Sequence, residues 1–91
     1  MVSTVLILFG IALIVHKERK EIKMKEEYYF ISHWAIHRMD LYYDPTESDM
    51  CYYVLWNLNN GLVEHDGFET ISYIRDFLKY FRAKERKEDL L

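Results

Sequence analysis

The sequence predicts an α+β chain: an N-terminal apolar helix with a charged stalk, then a small antiparallel sheet of β-hairpins covered by one C-terminal amphipathic helix. Three observations carry that expectation. Val2 to Val15 hold no charge, and Lys17, Glu18, Arg19 and Lys20 follow almost at once. Cys51 to Leu58 alternates in strand fashion and is followed by Asn60-Gly61, a hairpin signal. Phe68, Ile71, Ile74, Phe77, Leu78 and Phe81 then recur at helical spacing.

The apolar run sets the expected address. A charge at the centre of an inserted helix costs about 2.5–3.5 kcal/mol, and this run has none. Fourteen to sixteen helical residues span only about 21–24 Å, against a hydrocarbon core of about 30 Å. Lys17, Arg19 and Lys20 can make up the difference by snorkelling to the interface. A secretory signal fits poorly, because nothing basic precedes the run and no small-residue cleavage site follows it. Lys17, Arg19, Lys20, Lys23 and Lys25 all lie just after it, so the positive-inside bias places the C-terminal domain in the cytoplasm. The expected organisation is a membrane anchor over residues 1–16, a helical stalk over 17–27 and a small α+β domain over 28–91. The alternative is a cytoplasmic, soluble module, dimeric in one version, with residues 2–15 buried in its core. A start at Met24 would give a shorter soluble chain.

The elements follow in order. Lys17 to Glu27 are almost all good helix formers, and Glu21 and Lys25 make an i,i+4 pair, so one helix is expected from Val2 to Glu27. Tyr28 to Tyr43 fits helical spacing but is rich in aromatic and β-branched residues. Strand is assigned to Tyr28–Trp34 and Met39–Tyr43. Asp44-Pro45-Thr46-Glu47-Ser48-Asp49 is turn chemistry. In the following strand Tyr52, Val54, Trp56 and Leu58 share one face, and Tyr53 and Leu55 the other. A type I′ turn at Asn60-Gly61 would set Leu58 opposite Val63 and Trp56 opposite His65. Asp66 to Thr70 introduces the last helix, with Glu69 or Thr70 near its N-cap. Lys79, Arg82, Lys84, Arg86 and Lys87 load its final turns, where cations suit the helix dipole.

Composition bounds the chemistry. Ninety-one residues make one domain, and its eight Tyr, five Phe and two Trp let a small core bury much area. The single cysteine, Cys51, excludes an internal disulfide and fits a reducing compartment. Net charge is −3, and residues 28–66 carry only Arg38 against six acidic side chains, which discourages a nucleic-acid face there. Tyr80 and Phe81 among the terminal cations could grip phosphates, but Glu85, Glu88 and Asp89 share that segment.

No motif names a reaction, and neither a cofactor nor a metal is expected. His33 and His37 have i,i+4 spacing, but Trp34 stands where a zinc protease has its glutamate. On a strand the pair would lie about 13 Å apart, too far to chelate one ion. A third ligand would have to come from Asp40, Cys51 or His65, and nothing in the spacing demands it. Cys51 lacks an electropositive neighbour and reads as structural. Asp44, Glu47 and Asp49 lack the glycine and distal glutamate of an EF-hand.

The tyrosines carry the functional expectation. Tyr28-Tyr29, Tyr42-Tyr43 and Tyr52-Tyr53 are adjacent doublets, and in strands each would point one ring inward and one outward. Outward aromatic rings beside acidic residues favour protein contact. The expectation is a non-catalytic accessory protein that recruits or inhibits a protein partner near the bilayer. Its expected contact region is Tyr43, Asp44, Glu47, Asp49, Tyr53 and Trp56.

Overall fold

The computed structural model describes residues 24–90. The expected anchor and most of the stalk lie outside them. No helix among the described residues is long and apolar enough to cross a membrane. Four strands, Met24–Ser32 (β1), Ala35–Tyr43 (β2), Met50–Asn57 (β3) and Leu62–Thr70 (β4), form one antiparallel meander in the order β1-β2-β3-β4. The helix Ile71–Tyr80 (α1) packs on one face, and a short 3₁₀ turn at Lys87–Leu90 ends the described chain.

Met24 to Glu27 are strand, which corrects the helix expected to run through Glu27. These residues pair with β2, from Met24 opposite Tyr43 to Glu27 opposite Asp40. Helix preference among such residues amounts to a few tenths of a kcal/mol each. A ladder with cross-strand contacts at about 0.2–1 kcal/mol per pair overrides it. The doublets behave as the period-2 reading requires: Tyr28, Tyr43 and Tyr53 face α1, and Tyr29, Tyr42 and Tyr52 face away.

Both hairpin turns differ from expectation. β1 and β2 meet in a two-residue turn, His33-Trp34, where a continuing strand was expected through Trp34. Both residues have left-handed φ, 53° and 66°, the φ signature of a type I′ turn built without glycine or asparagine. The β3–β4 loop spans Leu58 to Gly61, and only Gly61 within it has positive φ, 76°. Gly61 closes the loop by donating its N–H to the Asn57 carbonyl at 2.7 Å. Trp56 therefore faces Val63, Leu55 faces His65, and the register shifts between these two pairs. Leu58 leaves the expected strand face and donates its N–H to the Ile36 carbonyl at 2.8 Å.

β4 passes into α1 with no intervening loop. Thr70 is the N-cap, its hydroxyl accepting from the Tyr73 N–H at 3.2 Å. Phe68 belongs to β4, not to the helical stripe, and lies beside Tyr52 on the face away from α1, with ring centroids 5.1 Å apart. The helix ends in a Schellman pair, Arg82 N–H to Lys79 carbonyl at 3.0 Å and Ala83 N–H to Leu78 carbonyl at 2.9 Å, with Arg82 left-handed at φ 56°. This stops α1 before most of the cations expected to extend it. Lys84 instead pairs with the outer edge of β1, exchanging backbone hydrogen bonds with Tyr29 at 2.7 and 2.8 Å.

Two apolar clusters result. Under α1 lie Phe30, Met39, Leu41, Tyr43, Cys51, Ile74 and Leu78, with Phe77 meeting Phe30 edge-on at 5.6 Å. The opposite face gathers Tyr52 and Val54 with half-buried Tyr42, Trp56 and Val63.

Candidate interaction surface

The six residues expected to form one contact region are not brought together. Tyr43 is buried under α1, where its hydroxyl donates to Glu26. Asp44 is also buried, its carboxylate accepting from the Thr46 N–H at 3.0 Å and the Thr46 hydroxyl at 2.7 Å. Tyr43 is committed to the fold through Glu26 and Arg75, and Asp44 through the turn of the β2–β3 connection. Glu47 and Asp49 are exposed in that connection. Tyr53 lies on the α1 face and its hydroxyl contacts His65 Nδ1 at 2.6 Å. Trp56 is on the other face, and its indole N–H donates to Asp40 at 3.0 Å.

The two histidines do not share a strand. His33 sits in the turn, while His37 is buried in β2 and stacks on Phe30 at 5.3 Å. Its Nδ1 contacts the Ala35 carbonyl and its Nε2 contacts Glu64, both at 3.1 Å. Asn57 donates to the other Glu64 oxygen at 2.9 Å. Those contacts, the Asn57 hydrogen bond foremost, hold the Glu64 carboxyl below the usual carboxylate range. Among the described residues, no three His, Cys, Asp or Glu side chains gather as a metal site would require. Burial pushes the Cys51 thiol up, away from the reactive thiolate.

Two charged networks serve the fold. On the α1 side, Arg75 reaches Glu26 at 3.0 Å and the hydroxyls of Tyr28 and Tyr43 at 3.1 Å, tying the helix to β1 and β2. Burial would push the Glu26 carboxyl up, but hydrogen bonds from Arg75, Tyr43 and Tyr28 outweigh it and bring it down to about 2. On the other face, Asp40 accepts from Trp56 and from an Arg38 terminal nitrogen at 3.2 Å. Arg38 Nε also lies 3.0 Å from Asp40 Oδ1, close enough for an ion pair but not aligned as a hydrogen bond. Burial pushes the Asp40 carboxyl up despite these cations.

Of the terminal cations, Lys79, Arg82 and Lys84 line an open cleft of about 360 Å³ with Tyr28 and Arg75. Arg86 pairs with Asp89 at 3.1 Å. Arg75 is already saturated by Glu26, so the cleft is less basic than its lining suggests.

Trp34 is an exposed turn residue that sequence reasoning did not single out. It is 96% exposed, more than any other large apolar side chain described. Ile31 and Leu62, also exposed, lie at the same end of the sheet. The described residues at that end include Ser32, His33, Asn57, Asn59, Asn60 and Glu64, with no lysine or arginine among them. Only the backbone could reveal this site, because a His-Trp pair carries no turn signal. No protein-family model matches the chain, and neither curated proteins nor solved structures give a significant match.

Proposed function

We propose that the protein is a small non-catalytic binding module that docks a protein partner through the hairpin end of its sheet, with Trp34 as the anchoring side chain. The observation carrying this reading is the conjunction of full exposure and left-handed backbone at Trp34. A left-handed non-glycine residue costs about 1–2 kcal/mol. An indole left in water forgoes burial worth about 1.5–3 kcal/mol for a large side chain. Such outliers cluster where structure is held for contact. Trp is also the commonest kind of interface hot spot, and the surrounding amides supply a polar rim that can satisfy a partner's backbone. The lack of cations among the described residues at this end favours a protein over an anionic lipid surface.

The test is Trp34→Gly in the full chain. Glycine accepts the turn, so the variant should melt at an equal or higher temperature, by about 4–8 °C for each kcal/mol relieved. Capture from native cells beside the wild type should then show a partner lost. Recovery of the same proteins in the same amounts would sink the reading. This contact is separable from the membrane address expected from residues 2–15, which governs where the module works and not what it holds.

A further inference from the structure

Residues 79–84 lead the chain from the helix back to the sheet, and a different backbone device holds each of their three cations. Lys79 lies in the last turn of α1. Arg82 follows the helix with φ 56°, a left-handed position that glycine usually fills. Lys84 is clamped to β1 by its two backbone hydrogen bonds with Tyr29. All three reach one open cleft of about 360 Å³, whose lining includes Tyr28, Leu78 and Ala83. Arg75 lines it too, but is neutralised by Glu26. Among the described residues, Lys79, Arg82 and Lys84 form no ion pair. Cations at a helix C-terminus ordinarily answer its dipole. Here the N–H groups of Phe81, Arg82 and Ala83 already cap the last carbonyls, and Lys84 lies beyond the helix altogether. Unpaired like charges gathered in one hollow repel each other until an anion joins them.

We propose that this cleft binds a soluble phosphate monoester as its dianion, with Lys79, Arg82 and Lys84 around the phosphate and the ester group against Tyr28, Leu78 and Ala83. Two charges on one compact group match three unpaired cations better than the single charge of a carboxylate. The Tyr28 hydroxyl is spent, donating to Glu26 at 2.7 Å and accepting from Arg75 at 3.1 Å, so it offers the ligand a ring. The cleft is of small-molecule size, at the lower end of the usual range of about 300–1,000 Å³. On the far side of Tyr28 the charge reverses. Glu26, Glu27 and Glu85 line the adjoining cleft against only Lys25, and Arg86 is paired with Asp89. A polyanion laid across the site would meet those carboxylates, whereas a single phosphate stays among the cations. The site is independent of the Trp34 contact and does not rest on it.

The test uses the full ¹⁵N-labelled chain in nonionic detergent. It is titrated with phenyl phosphate, with benzoate, with a short single-stranded DNA and with phosphatidate in mixed micelles. Phenyl phosphate should give saturable shifts centred on the amides of Lys79 to Lys84. Its affinity should fall about tenfold from pH 7 to pH 5, because protonation with a pKa near 6 removes the dianion. Arg82→Gly suits the left-handed backbone, so this variant should melt no lower than the wild type while binding about tenfold more weakly. Lys84→Gln keeps the backbone pairing with Tyr29 and should weaken binding likewise. Absence of saturation with phenyl phosphate would overturn the proposal, as would equal affinity for benzoate. Saturation by the DNA or by phosphatidate alone would reject the soluble monoester. Unchanged affinity in both cation variants would remove the site from this cleft.

Discussion

The two faces of the sheet are built on different chemistry. Under α1 the contacts are apolar and aromatic, and the charged pair Glu26–Arg75 sits at the margin as a tie between helix and strands. On the other face a carboxylate, Asp40, lies near the centre and is ringed by Arg38, Trp56 and Lys25. Burial acts on both carboxyls, but with opposite outcomes. Glu26 gains enough donors to be held ionised, while Asp40 does not fully recover its lost hydration. One face therefore stores stability in an ionised group, and the other tolerates one at a cost.

Deleting core volume should have the largest effect and tests whether the faces are equally closed. Leu41→Ala, under α1, should cost about 2–5 kcal/mol in a denaturant melt. Val54→Ala, at equal burial, should cost about 1–3 kcal/mol if its face is truly closed. A change within about 0.5 kcal/mol would mark the second face as open. Asp40→Ala comes next. It leaves the Trp56 N–H and the Arg38 guanidinium without their acceptor, for a loss of about 2–3 kcal/mol.

Acid separates the faces by sign. The folded value for Glu26, about 2, lies below its ordinary 4.5, so its contribution is complete above pH 4.5 and is lost as pH falls toward 2. Asp40 shifts the other way, so protonation relieves its face over the pH range above its ordinary 3.8. Glu26→Gln should flatten the acid limb of melting temperature against pH, and Asp40→Asn should steepen it. Identical limbs in the two variants would contradict the contrast. The smallest expected effect is Tyr52→Phe, which removes one hydrogen bond to Asp66 and should cost about 1 kcal/mol in the same melts.

Much of the domain was readable from the residues, and the failures share a cause. The β3 alternation, the turn at Pro45, the Thr70 cap and the α1 stripe from Ile71 to Phe81 are local patterns, and local patterns survive into the structure. What escaped depends on partners distant in sequence. Met24 to Glu27 look helical alone and become strand through β2. Asn60-Gly61 suggested a two-residue turn, but docking of Leu58 on Ile36 lengthens the loop and shifts Trp56 from His65 to Val63. Phe68 kept helical spacing while belonging to β4. The exposed hairpin end was least legible. Chemical type points to Tyr43 and Asp44, which the fold buries, while the exposure of Trp34 follows from two positive φ angles that no residue at that turn signals.

The backbone exchange between Lys84 and Tyr29 bears on what this sheet can do in company. Fibril growth needs a template at each end, so that every added copy exposes a fresh one. Here the β1 flank is occupied near its middle by the molecule's own tail, while among the described residues β4 has a sheet neighbour only in β3. A second copy could add along β4, yet the joined pair would then present two blocked flanks. On this arrangement of edges, strand addition would end at two.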